Sequence, residues 1–328
     1  MNEVINAYSF SHPVAEELKI LENTMLEELG GYDPTLIAAA THLMNAGGKR
    51  IRPVMALLCS KATSSEPLNR FHYLLAMAVE ILHTATLIHD DIIDGSQTRR
   101  GLPTVNREWG QRVSVLAGDF LLARSCFYIS KIEKIRLNTA FSEMVMDMCN
   151  GEMSQFRRRY KSTMTLAKYL EQIESKTALL MSVGCRGAAM INGTSMPMED
   201  ALANYGCFVG MAFQIMDDIL DFSISEAELG KSACNDLASG QVTLPTYYAL
   251  QTSKYAGELK EAIDREMGQE GDLARSLQIV MESDALLMSQ NLATEYRDKA
   301  KEQLNLLEPS AAKDALGALA DTAIARRS

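Results

Sequence analysis

The sequence predicts an all-α protein, and three observations carry that expectation. Only 8 prolines and 20 glycines interrupt 328 residues, and aromatic residues make up 6% while Met, Leu and Ala abound. Apolar positions also recur with a period near that of an α-helix over long stretches. Such a composition favours helices over many short strands. Although the length exceeds the usual single-core size, helices can wrap it around one cavity. The expectation is therefore a large helical bundle around a central cavity, with one domain over residues 1–328.

The elements follow in order. Asp33-Pro34 reads as a cap followed by proline at the first helical position, opening a helix that Gly47-Gly48 ends. From Pro67 to about Asp94, Leu74, Leu75, Ala78, Ile81, Leu82, Ala85, Ile88 and Ile92 fall on one helical face, which predicts a long, mostly buried helix. Further helical patterns run over 111–130, 134–160, 166–192, 197–222, 243–267, 271–305 and 310–325, joined by short Gly-, Pro-, Ser- or Asn-bearing connections. Between them, 223–242 breaks the period at Ser223-Ile224-Ser225 and Gly230-Lys231-Ser232, and reads as a loop at the mouth of a site. Met144, Met146, Met148, Met153, Met211 and Met216 are expected to pack the core.

Composition excludes several functions. A net charge of −10 argues against a nucleic-acid partner, because phosphate backbones are held by an excess of Lys and Arg. Cys59, Cys126, Cys149, Cys185, Cys207 and Cys234 show neither CxxC pairs nor metal-ligand spacing, and read as reduced core thiols. The start Met1-Asn2-Glu3 has no basic segment followed by an apolar stretch, and no apolar run reads as long enough to span a bilayer. A cytoplasmic location is expected.

Two near-identical motifs carry the chemistry: Asp90-Asp91-Ile92-Ile93-Asp94 and Asp217-Asp218-Ile219-Leu220-Asp221, each ending an apolar helical run. Residues four apart share a helical face, so Asp90 with Asp94, and Asp217 with Asp221, form carboxylate claws. Like charges so close oppose one another, and magnesium relieves that repulsion. It binds through one or two carboxylates together with phosphate oxygens, so two facing claws could hold a diphosphate between them. One such motif alone also fits a solvated acidic helix end; two copies, each with basic residues downstream (Arg99-Arg100 and Lys231), make that reading poor. A second set of cations, Lys49-Arg50-Ile51-Arg52 beside Gly47-Gly48, suits a second diphosphate cradle, although a surface basic helix start has the same appearance. Upstream of the first claw, His83 is the candidate phosphate contact and His89 a satisfied core residue.

With these residues in view, the chain resembles the trans-polyprenyl diphosphate synthase family over nearly its whole length. The landmarks are Gly48-Lys49-Arg50 with Arg52-Pro53, His83 before Asp90-Asp91-x-x-Asp94, Arg99-Arg100-Gly101 with Pro103-Thr104, and Gly118-Asp119. Lys176-Thr177, Phe213-Gln214, the second aspartate motif, and Gly230-Lys231 leading to Thr243-Leu244-Pro245 complete them. The resemblance implies an isoprenoid-synthase helical bundle that adds isopentenyl diphosphate units to an allylic diphosphate such as farnesyl diphosphate. It assigns Lys49, Arg52, His83 and Arg100 to isopentenyl diphosphate, and Arg99, Lys176 and Lys231 to the allylic diphosphate. Asp90, Asp94 and Asp217 would hold magnesium, three ions once substrate is bound, while Asp91, Asp218 and Asp221 act through waters and supporting hydrogen bonds. Ionisation, condensation and elimination follow, with dipoles near Lys176, Thr177 and Gln214 steadying the allylic cation and the released diphosphate as final base.

In this family the positions just upstream of the first motif receive the growing tail, and a bulky aromatic blocks it. Ala85 and Thr86 are small, so the resemblance implies that the tail passes this point, which disfavours geranyl, farnesyl and geranylgeranyl products. Hexaprenyl to octaprenyl products, heptaprenyl best, for quinone side chains are expected, with a shorter-chain geranylgeranyl or farnesyl synthase as the alternative. Thr177-Ala178-Leu179-Leu180 and Gly240-Gln241-Val242-Thr243-Leu244-Pro245 look most like the catalytic component of bacterial heptaprenyl diphosphate synthases. A homodimer is expected, or a pair with a small second subunit, with at most transient membrane contact. Gln241 stands where many members have Lys, and Cys234 where Gly is frequent. A terpene cyclase would carry N-D-x-x-S-x-x-E as its second motif, which is absent, and a non-catalytic partner subunit would be expected to lose one claw.

Overall fold

Asp33 caps its helix as the sequence reads: its carboxylate accepts the Thr35 and Leu36 N–H groups at 2.9 and 3.1 Å. The computed structural model describes residues 9–222 and 234–325. A 3-10 turn, Ser9–Val14, leads into α1 (Ala15–Glu28), α2 (Pro34–Asn45), α3 (Ile51–Ala62) and α4 (Arg70–Ile93). A two-strand hairpin, β1 (Thr98–Arg99) with β2 (Leu102–Pro103), is followed by α5 (Val105–Ser130), α6 (Ile135–Arg158) and α7 (Leu166–Ile173). A π-helical turn, Glu174–Ala178, runs into α8 (Leu179–Asn192) and α9 (Met196–Leu220). The remainder is α10 (Asn235–Ala238), α11 (Leu244–Thr252), α12 (Ala256–Asp264), α13 (Asp272–Met281), α14 (Ala285–Gln303) and α15 (Ala311–Ile324). The fold is all-α, as expected.

Several boundaries differ from the sequence reading. Helix α1 was not among the expected helices and starts at Val14 without a side-chain cap, whereas α3 opens behind a left-handed Arg50 (φ +48°) at the stretch whose alternative reading was a basic helix start. Within α5 the backbone leaves helical geometry at Gly110 (φ +79°, ψ +165°), so the expected 111–130 starts after that kink and a short helical stretch from Val105 precedes it. The expected 166–192 helix contains the π turn. The expected 243–267 breaks at extended Ser253, and 271–305 breaks between Met281 and Ala285. Of 223–242, only 234–242 lies within the described residues.

The contacts group into two units. The first is built from described parts of 1–142, 180–203 and 304–318. Its centre is α4, packed against α3 and α5, with Leu75, Val79, Ile81 and Ile88 fully buried. Helix α8 approaches α4 closely because Gly187 and Gly184 leave room: an added Cβ would lie 2.9 Å from Leu75 and 3.3 Å from Val79. The second unit comprises described parts of 143–179, 204–303 and 319–328. Its core gathers Tyr169, Ile173, Met211, Ile215, Phe222, Leu244 and Ile279.

Two expectations about burial need correction. Met144, Met211 and Met216 are core residues, but Met146 and Met153 are 62% and 51% exposed on α6. All six cysteines are free, yet Cys126 and Cys149 are exposed rather than core thiols. By length and composition α4 and α5 could cross a membrane, contrary to the sequence reading; 72% of the apolar window of α4 is buried in the protein, which makes it a core helix.

Candidate active site

The Lys49-Arg50-Ile51-Arg52 stretch does not present three equivalent cations. Arg50 turns inward, donating to Glu80 at 2.7 Å, to Glu22 at 3.1 Å and to the Met44 carbonyl at 2.8 Å. It is therefore a buried structural ion pair, while Lys49 stays exposed and Arg52 half-buried. Left-handed geometry at Gly47, Gly48 and Arg50 (φ +80°, +151° and +48°) makes the sharp bend that divides them.

Arg100 reaches the same bend from the hairpin. Arg100 and Gly101 form its turn with φ of +53° and +77°, the pattern of a two-residue hairpin whose twist suits the strands. The Arg100 guanidinium donates to the Leu43 and Gly47 carbonyls, and a Cβ on Gly48 would stand 2.9 Å from it. Burial lowers the Arg100 pKa. The His83 imidazole is held well below its ordinary value, first by burial and then by Arg52, Arg100, Arg99 and Arg50. Of these guanidinium groups Arg50 is balanced by Glu80 and Arg99 by Asp91, and the cations gathered around the ring suit a phosphate.

On α4, Ala85 is buried, and the half-buried Thr86 donates to the His83 carbonyl at 2.8 Å. His89 is half-buried and lies against Gly118, where an added Cβ would meet its ring at 2.1 Å. The Asp94 N–H donates to the Asp90 carbonyl at 2.8 Å, which keeps both on the helical i, i+4 relation. Asp90 is half-buried and Asp94 exposed. Asp91 is 1% exposed, and one of its oxygens takes two Arg99 donors at 2.9 and 2.7 Å. Burial raises the Asp91 carboxyl, and Arg99 opposes that shift.

In the second unit the π turn carries Lys176 and Thr177. An extra residue in one helical turn re-aims its side chains, and such turns recur at functional sites. Lys176 pairs with Glu152 at 3.0 Å. Thr177 donates to Gln214 Oε1 at 2.7 Å, Gln214 Nε2 donates to Asp218 Oδ1 at 2.9 Å, and Tyr169 donates to Asp218 Oδ2 at 2.7 Å. Asp218 is pushed well above the usual carboxylate range by burial first, then by Asp236; Gln214 and Tyr169 pull the other way. Sequence reasoning missed Tyr169, which lies seven positions before Lys176 and signals nothing by spacing alone.

Asp217 is half-buried at the end of α9. Asp221 instead accepts the Asn235 and Asp236 N–H groups at 3.2 and 3.1 Å, so it anchors the start of α10. Cys234 adopts φ +58°, the left-handed conformation for which glycine is best suited. Gln241 accepts from Gln155 at 2.6 Å, and Gly240 lies against the Tyr160 ring, where a Cβ would come within 2.6 Å. Lys231 lies outside the described residues.

The carboxylates suit magnesium by their chemistry. Asp90, Asp94 and Asp217 offer hard oxygen donors at half-buried or exposed positions. Among the described residues no three His, Cys, Asp or Glu side chains gather into a cluster that would hold an ion unaided. Magnesium does not require one, because it keeps waters and shares substrate phosphates.

Comparison with known proteins agrees with this chemistry. The polyprenyl synthetase family model matches residues 33–280. The chain is 37% identical to heptaprenyl diphosphate synthase component 2 of Bacillus subtilis over 314 residues, 96% of this chain and 88% of that one. It is 38% identical to a chloroplastic solanesyl-diphosphate synthase of Oryza sativa over 312 residues, 94% of this chain and 77% of that one. A polyprenyl synthase from Caulobacter crescentus, crystallised with calcium and isoprenyl diphosphate, superposes with a TM-score of 0.88 at 35% identity, covering 97% of this chain and 98% of that one. From the matched span and the near full-length relatives, the chain belongs to the polyprenyl synthetase family and is a prenyltransferase.

Proposed function

We propose that the chain is a trans-polyprenyl diphosphate synthase that extends an allylic primer such as farnesyl diphosphate to hexaprenyl through octaprenyl length, heptaprenyl best. Small, buried Ala85 carries the length assignment: the position before the first aspartate motif holds no aromatic side chain to stop the tail. Relatives named for heptaprenyl and solanesyl products support a long product without choosing one.

Lys49, Arg52, His83 and Arg100 are assigned to isopentenyl diphosphate, and Arg99, Lys176 and Lys231 to the allylic diphosphate. Asp90, Asp94 and Asp217 are the residues that would hold magnesium. When bound, three magnesium ions would supply charge neutralisation for the departing diphosphate. Arg and Lys side chains orient both diphosphates and stabilise the charge that grows on the leaving one. Asp91, Asp218 and Asp221, held by Arg99, by Tyr169 with Gln214, and by the start of α10, fix the motifs in place. Carbonyl and hydroxyl dipoles near Lys176, Thr177 and Gln214 are assigned to steady the developing positive charge.

A homodimer is the favoured assembly, with a small second subunit as the alternative. Exposed apolar residues support it: Leu116 and Phe127 on α5, and Met146, Met153 and Phe156 on α6, are 45% to 62% exposed. The cytoplasm, with transient membrane contact for product release, is the proposed location.

The test incubates the purified chain with magnesium, isopentenyl diphosphate and farnesyl diphosphate, followed by chromatography of the products. Hexaprenyl to octaprenyl products are expected, and chelation of magnesium should abolish them. A geranylgeranyl end product would overturn the length assignment, and no condensation at all would overturn the reaction.

A further inference from the structure

The chain of hydrogen bonds behind Thr177 has a direction. Each Asp218 oxygen takes a donor, Tyr169 Oη–H on Oδ2 and Gln214 Nε2–H on Oδ1, and both bonds favour its accept-only ionised form against the burial that raises it. Once the Gln214 amide nitrogen faces Asp218, its oxygen faces Thr177, and the single hydroxyl proton of Thr177 goes to it at 2.7 Å. The Thr177 oxygen is thereby left with lone pairs on its other side. With the amide turned over, the nitrogen would donate to Thr177, whose own proton would then point outward. The sign of the dipole at Thr177 therefore depends on the Asp218 anchor.

Two features show that the anchor is built rather than incidental. Tyr169 is 1% exposed, so its hydroxyl is delivered to Asp218 within the core of the second unit. Gly210 lets α9 approach the π turn until an added Cβ would stand 2.6 Å from Ala178 Cα, and this close approach brings Gln214 within reach of Thr177.

We propose that Tyr169 is a positioning residue for prenyl transfer: through Asp218 and Gln214 it holds the Thr177 hydroxyl so that its oxygen lone pairs, not its proton, face the ionising allylic group. This rests on the assignment of Thr177 and Gln214 to the allylic cation. Buried at 1% exposure, Tyr169 acts through its hydrogen bond to Asp218 and not on the substrate itself. Its effect is confined to how well the site stabilises positive charge.

Two diphosphate analogues of the allylic substrate read that effect in Tyr169→Phe: one bears an ammonium in place of the reacting carbon, the other is an uncharged thio-linked form that cannot ionise. Affinity for the ammonium analogue should fall about fivefold or more, while that for the uncharged analogue stays within about twofold, consistent with loss of one hydrogen bond's worth of orientation. The kcat should fall with the KM for isopentenyl diphosphate unchanged. Gln214→Met, at a half-buried position, should show the same selective loss, and the double variant should lose no more than the worse single variant. Equal loss for both analogues, no loss for either, or additive losses would overturn the proposal. A wild-type chain that binds both analogues yet forms no product would instead count against the proposed reaction, while the analogue comparison still decides the role of Tyr169.

Discussion

Among individual residues, the decisive contrast lies between neighbours with the same charge. Arg50 is 7% exposed and sealed onto Glu80, whereas Lys49 beside it is exposed. Removing one partner of a buried pair strands the other charge. Arg50→Ala should therefore cost about 3–5 kcal/mol of stability by chemical denaturation. His83 makes the second prediction. Its folded pKa is depressed by burial and then by the surrounding guanidinium groups, so the unfolded chain takes up a proton that the folded chain refuses. That difference appears as pH falls through the ordinary histidine value of about 6.5 and vanishes above it. Stability of the wild type relative to His83→Gln should thus decline from about pH 7.5 to about pH 5.5, the range where an ordinary histidine gains its proton. A relative stability independent of pH would show that the ring is not held neutral.

Helices bring residues together by close approach as much as by period. The π turn Glu174–Ala178 and the bare Gly210 on α9 place Thr177 against Gln214. Gly210→Ala would press a methyl group into backbone at 2.6 Å, where no flexible side chain can give way. A loss of about 1–3 kcal/mol in thermal unfolding is expected, the cost of overpacking. The kcat should fall further than stability alone explains, because the Thr177–Gln214 bond lengthens. An unchanged kcat would dissociate that contact from the reaction.

For the whole molecule, the exposed apolar residues of α5 and α6 bear on assembly. Phe127 and Phe156 are 45% and 61% exposed, and large aromatics at such positions are candidates for burial by a partner. Phe156→Glu should halve the mass in sedimentation if two copies associate through α6. A single-chain mass for the active wild type would refute the homodimer.

Much of this protein was legible in one dimension. Helical periodicity and scarce breakers determined the all-α class, and the Asp33-Pro34 cap determined a helix start, because both arise from contacts within a few residues. The i, i+4 spacing likewise determined that Asp90 and Asp94 keep a helical relation. Only tertiary structure decided which charges serve the site. Arg50 went to Glu80, thirty positions away, Asp221 went to the start of α10, and Tyr169 met Asp218 from another helix. Local spacing predicts where a side chain leaves the backbone, whereas burial and long-range hydrogen bonds determine what it finds there.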